Sequence, residues 1–209
     1  NVANMTWLTN NPVGLIDASN KEAMKWMGEF YKRHTRNGMA GWWLDLGEPE
    51  RHFFSNCHHA GGSCEQIHNE FGALWIESVY KALTEEAPNM RHMLLPRSGT
   101  AGMQRYSTFP WTGDIQRSWE GLQAQVPALV NGSMSGIGYL GSDIGGFCNS
   151  NNNSDELYLR WVQLGVFYPV MRTHAQESLN PEPYNRPSIL DKVRKAINLR
   201  YAYLPYSYT

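Results

Sequence analysis

Three aspartates close short apolar runs in this chain. Asp45 follows Trp42-Trp43-Leu44, Asp114 follows Phe109-Pro110-Trp111-Thr112-Gly113, and Asp143 follows Gly138-Tyr139-Leu140-Gly141-Ser142. Each stands where a strand is expected to give way to its loop. The separations, about 70 and about 30 residues, correspond to two and one strand–helix units. In barrels of alternating strands and helices that rim is where active sites are built, so all three acids can converge on one mouth. Carboxylates on opposite sides of a glycosidic bond divide the chemistry between a nucleophile and a general acid/base. Flat Trp and Tyr faces suit sugar rings, and Arg, His and Asp bond the hydroxyls. A single loop acid is most simply a solvated one; three beside Trp, Tyr or Gly point to a site. Metal-assisted hydrolysis is the rival chemistry, but the histidines do not fall at ligand spacing on the strands, and no metal is expected.

The elements that must hold these acids are legible in outline. Ser19 with Glu22 reads as a capping box opening a helix with Ala23, Met27, Phe30, Tyr31 and His34 on one face, ended by Asn37-Gly38. A strand is expected over 39–46. Ser63 with Gln66 opens a second helix whose face is Ile67, Phe71, Leu74, Trp75, Val79 and Leu83. Further strands are expected over 92–95, 108–111, 136–140 and 166–171, with a turn or two of helix at most in 99–106. Helices are expected over 118–130, kinked at Pro127, from Ser154 through Leu164, and from Ser188 with Val193, Ile197, Tyr201 and Leu204 inward. Strands alternating with helices mean βαβ units and a parallel sheet, an α/β class. No Gly-x-Gly-x-x-Gly opens a helix, and the Walker A and His-Glu-x-x-His patterns are absent from the sequence, so no cofactor is expected.

Composition narrows the ligand. Eighteen Lys and Arg against nineteen Asp and Glu leave a net charge of −1 over 209 residues, with no pull toward nucleic acid or an anionic membrane. No apolar run approaches the ~18 residues of a membrane span. Charged residues are 18% and aromatics 12%, a balance suited to a neutral ligand that stacks.

These residues together form a recognisable constellation. Gly41-Trp42-Trp43-Leu44-Asp45-Leu46-Gly47-Glu48-Pro49-Glu50 resembles the nucleophile segment of glycoside hydrolase family 31. In order, His68-Asn69, Pro96-Arg97-Ser98, Gln104-Arg105-Tyr106, Trp111-Thr112-Gly113-Asp114, Gly141 through Phe147, Met171-Arg172-Thr173-His174, Leu199-Arg200-Tyr201 and Leu204-Pro205-Tyr206 extend the resemblance along nearly the whole chain. It implies a retaining α-glycosidase acting on α-glucosides or α-gluco-oligosaccharides by double displacement, with Asp45 as nucleophile and Asp114 as acid/base. It places Trp43, Arg97, Trp111, Asp143, Phe147, Arg172 and His174 against the sugar, Arg172 less firmly than the rest. Asp45 must be ionised to attack; Asp114 must be protonated at rest, which a site dried by Trp111 favours. Arg97 and Arg172 as structural ion-pair partners and Phe147 as plain core are the competing roles. The Asp-Leu-Gly-Glu-Pro-Glu form is most similar to bacterial α-glucosidases and 4-α-glucosyltransferases, whereas α-xylosidases tend to carry Asp-Phe-Gly-Glu. A transglycosylase, an α-galactosidase or an α-xylosidase of the same family are the alternatives, and a non-catalytic sugar-binding homologue or inert fragment is the reading from another class.

The same resemblance implies a partial (β/α)8 TIM barrel: residues 1–209 would supply about strands 4 to 8 with their helices, without the first three strands and the flanking β-domains. The first residue is Asn1, with no leader pattern. The partners implied are the rest of the barrel and an α-linked glucoside, and the segment alone is expected to be marginally stable and inactive. Cys57 and Cys64 flank a Gly-rich loop with His58 and His59 between them; a disulfide is favoured over zinc, whose usual spacings differ. Asn4, Asn131 and Asn152 begin glycosylation triplets that arise easily in an Asn-rich chain. The compartment is open, with a periplasmic or secreted one favoured over the cytoplasm.

Overall fold

The structure, a computed structural model, describes residues 2–3, 13–49, 57–148, 153–176 and 180–209. The triplet at Asn4, Glu50 of the first motif, and the Asn-rich run 149–152 lie outside the described residues. The chain divides into two compact units, Asn1–Thr108 and Phe109–Thr209.

The first unit opens with two short antiparallel strands, β1 (Val2–Ala3) and β2 (Val13–Gly14). Helix α1 (Lys21–Arg36) is capped by Asn20, whose side chain accepts from the amides of Glu22 and Ala23. The cap is therefore Asn20, one residue beyond the expected Ser19. Ser19 instead donates to Asp17 and accepts from the Gly61 amide, so its hydroxyl is committed elsewhere. Met24 and Gly28 are buried, while Phe30, expected inward, is exposed. Strand β3 (Gly41–Leu44) follows, then the β4 (His58–His59) and β5 (Gly62–Ser63) hairpin. Helix α2 (Cys64–Glu86) starts with the expected capping box, Ser63 and Gln66 each bonding the other's backbone. Strand β6 (Met93–Pro96) pairs parallel with β3 in the register Gly41↔Met93 to Leu44↔Pro96. Leu44, Leu94, Ile76, Val79 and Leu83 bury together beneath this pair, each worth about 1.5–3 kcal/mol relative to exposure.

The second unit begins at Phe109; the strand expected over 108–111 forms only isolated bridges among the described residues, Leu94↔Thr108 within the first unit and Trp111↔Gly141 within the second. Helix α3 (Trp119–Met134) is capped by Ser118 and runs through Pro127. Gly136 was a candidate strand start, but at φ +89° it closes α3, with its amide on Ser133 and that of Ile137 on Gly132. Strand β7 therefore starts later, at Gly141–Ile144. Helix α4 (Asp155–Gly165) is capped by Ser154 as expected. Turn bonds from Phe167 and Tyr168 back to α4, then Pro169, delay the last strand to β8 (Val170–Thr173). It pairs parallel with β7, Asp143 facing Arg172. Helix α5 (Leu190–Tyr208) buries Val193 and Ala196, whereas Tyr201 and Leu204, expected inward, are exposed. Its buried residues join Trp161, Tyr158, Leu157 and Ile144 in one core.

Candidate active site

Asp45 is the first residue past β3, at its carboxyl end. One carboxylate oxygen accepts the amide of Leu46, which sits in the left-handed region at φ +62°. Such a conformation costs a non-glycine residue about 1–3 kcal/mol and concentrates where function fixes the backbone. Arg97 arrives from the end of the neighbouring strand, its amide on the Leu44 carbonyl. Its guanidinium grips Glu48 with two bonds of 2.7 and 3.1 Å, and its Nε lies 3.4 Å from Asp45 Oδ1. Arg97 thus ties the strand-end acid to the loop three residues on. Glu48 was not singled out from sequence, although it lies inside the first motif. A small cavity of about 140 Å³ behind it is lined by His68, Asn69, Ser98 and Thr100, which brings three of the sequence motifs to one place. Trp43 alternates away from the core and is 49% exposed on the other face of β3.

Helix α2 presses against the loop after Asp45 at two glycines. A Cβ on Gly72 would stand 2.5 Å from Ser98 Oγ and 2.8 Å from the Gly47 carbonyl, and one on Gly47 would meet the Trp75 ring at 2.8 Å. Gly72→Ala should therefore destabilise the full-length protein by about 1–3 kcal/mol, against the ~1 kcal/mol that Ala gains over Gly in a helix. Urea unfolding with an unchanged m-value reads the sign directly, and a stabilised variant refutes the tight approach.

In the second unit, Asp114 is the centre of a tight turn, the Ile115 amide donating to the Gly113 carbonyl at 2.9 Å. Asp114 is exposed while Trp111 beside it is 4% exposed, so Trp111 does not by itself dry Asp114 as expected. Asp143 departs further from expectation. It is the third residue of β7 rather than a loop acid, wholly buried, and its carboxylate pairs with Arg172 of β8. The Arg172 guanidinium lies 5.3 Å over the Trp111 ring, a cation–π contact. Phe147 and His174 stack at 5.3 Å with an interplanar angle of 25°. Strand ends and loops of this unit thus present an aromatic wall with a buried ion pair behind it.

Cys57 and Cys64 form a disulfide across the hairpin, their Cα atoms 5.4 Å apart. His59 Nδ1 lies 3.1 Å from Asp17. Cys57, His59 and Cys64 hold their ligand atoms within 4.8 Å of one another, but both sulfurs are committed to each other. The third cysteine, Cys148, is a thiol.

The sequence profile of the glycosyl hydrolases family 31 TIM-barrel domain matches residues 2–209. Alpha-glucosidase 2 of Bacillus thermoamyloliquefaciens is 34% identical over 206 residues, covering 92% of this chain and 26% of that protein. The sulfoquinovosidase of Escherichia coli is 38% identical over 169 residues, covering 77% of the chain and 24% of the relative. Among solved structures, the dextranase of Flavobacterium johnsoniae complexed with glucose superimposes with a TM-score of 0.86 at 31% identity, over 95% of this chain and 26% of that one. The chain spans about a quarter of the length of the relatives it matches.

Proposed function

Because this chain belongs to glycoside hydrolase family 31, we propose that the protein carrying it is a retaining α-glycosidase for α-glucosides or α-gluco-oligosaccharides. Asp45 is its nucleophile and Asp114 its acid/base. The observation that carries the reading is Asp45 at the carboxyl end of β3, beside an Arg97 that Glu48 holds by both nitrogens of its fork. A carboxylate held in place by its own amide contact and a fixed cation is positioned to attack an anomeric carbon. Asp114, on an exposed turn, protonates the departing oxygen and then takes the proton of the water that cleaves the glycosyl ester. Trp111, Phe147 and His174 supply faces for the sugar; Arg97 and Arg172 supply hydroxyl partners, with buried Asp143 holding Arg172 in place, and Trp43 extends the apolar surface. An α-glucosidase relative and a dextranase neighbour complexed with glucose support an α-glucoside as substrate.

The same reading makes these 209 residues strands four to eight of an eight-stranded barrel. It is supported by the parallel pairs β3–β6 in the first unit and β7–β8 in the second.

Proton NMR of an aryl α-glucoside digest tests the stereochemistry. The first glucose released should be the α-anomer, appearing before mutarotation. β-Glucose as the first product would overturn retention, and sugar binding without turnover would leave a carbohydrate-binding homologue.

A further inference from the structure

Arg117 follows Asp114 by three residues and precedes the cap of α3, and its side chain is only 2% exposed. Burying a guanidinium is costly unless its donors are used. Here Nε and Nη2 both donate to the Gly146 carbonyl, and Nη1 donates to Asn153 Oδ1 at 2.6 Å. Arg186 reaches the same Asn153 oxygen and pairs with Asp155, which also accepts from Ser188. Its guanidinium stacks 4.3 Å over Tyr158. Two guanidiniums therefore share one amide oxygen, and Arg186 pairs in addition with a carboxylate. Burial pushes the Arg117 guanidinium down from its ordinary range, and the neighbouring charge of Arg186 adds to the effect.

The backbone around this cluster joins two functional segments. The amides of Phe147 and Cys148 both donate to the Ile115 carbonyl, and the Arg117 amide donates to the Cys148 carbonyl. Cys148 Sγ donates to the Asp114 carbonyl at 3.4 Å. Gly146, at φ +79°, lets the loop come this close: a Cβ there would stand 2.5 Å from Arg117 Cα. The turn that carries Asp114 and the loop that carries Phe147 are one stitched unit, and Arg117 contributes a buried charged side chain to it.

We propose that Arg117 is a positioning residue for the reaction: its fork on Gly146 and Asn153 fixes the turn of the acid/base Asp114 relative to the Phe147–His174 wall. This rests on the assignment of Asp114 made above. Arg117 reaches no substrate in this account; it acts by holding the proton donor in line with the leaving oxygen. Misplacing such a group by about 1 Å costs on the order of 10²-fold.

The test uses the full-length protein and two substrates that differ in their need for a proton. An alkyl α-glucoside leaves only as its oxygen is protonated, whereas fluoride leaves α-glucosyl fluoride without that help. The constant kcat/KM reports the steps through this first cleavage. Arg117→Lys keeps the stem and charge but loses the fork. It should lower kcat/KM on the alkyl glucoside roughly 10- to 100-fold, and on the fluoride by less than about threefold. Asn153→Ala, at an exposed position, removes one anchor without placing a cavity in the core and should show the same split in smaller measure. Equal losses on both substrates, or no loss on either, overturn the positioning role. Asp114→Ala run alongside must itself show the split. If it does not, the acid/base assignment fails and takes this proposal with it; if it does and Arg117→Lys does not, only the positioning role fails.

Discussion

Asp45→Ala in the full-length protein lowers kcat on an aryl α-glucoside by at least about 10⁴-fold, or roughly 5.4 kcal/mol of transition-state stabilisation. The expected loss is that large because the proposed mechanism makes this carboxylate the bond-forming partner: without it no glycosyl ester would form, and the two-step route would be closed. The surrounding contacts survive the change. Arg97 keeps Glu48 through both of its bonds, and the Leu46 amide loses one local acceptor. The melting temperature should therefore stay close to that of the wild type. The product of chemical rescue identifies the residue. Azide entering the space left by Asp45 attacks from the nucleophile's face and yields the β-glycosyl azide, inverted relative to the α-substrate. Rescue to the α-azide, or a variant within tenfold of wild type, would falsify the nucleophile assignment.

The second large effect belongs to Asp114→Ala. Loss of a general acid costs about 10²–10⁴-fold on a substrate whose leaving group needs its proton. On an activated aryl or fluoride substrate the first step proceeds, and the glycosyl enzyme accumulates because no base activates water. A pre-steady-state burst is the expected signature. Azide needs no base, so it restores turnover and arrives on the face the water would have used, giving the α-glycosyl azide. The two variants thus give azides of opposite configuration, which separates two carboxylates that a bare loss of activity would leave equivalent. Failure of azide to rescue Asp114→Ala on the activated substrate removes Asp114 from the acid/base role.

What could be read before the fold was known divides by the range of the interaction. The cap of α2 was legible because Ser63 and Gln66 are three residues apart and answer each other. The cap of α1 was misplaced by one residue because Ser19 and Asn20 are both good acceptors, and Asn20 takes the role while Ser19 is held by Asp17 and Gly61. Strand β7 was set too early because a glycine after a helix can open a strand or close the helix, and the left-handed φ of Gly136 closes it. Glu48 and Arg117 escaped notice for a different reason. Each is one charged residue in a loop, and what distinguishes it is a partner 49 or 29 residues away.

The order and types of the chemistry-bearing residues, an acid after a strand, an arginine after the next, and Trp-Thr-Gly-Asp and Gly-Ser-Asp runs at barrel spacing, belong to the sequence alone, and with them the family. Tertiary structure alone decided what each acid is. Asp45 is held beside a clamped arginine, Asp114 is exposed on a turn, and Asp143 is wholly buried against Arg172. The reason is physical: a carboxylate's character follows from its desolvation and from the cations within a few ångströms. Those neighbours come from other strands, brought there by packing and by no local pattern.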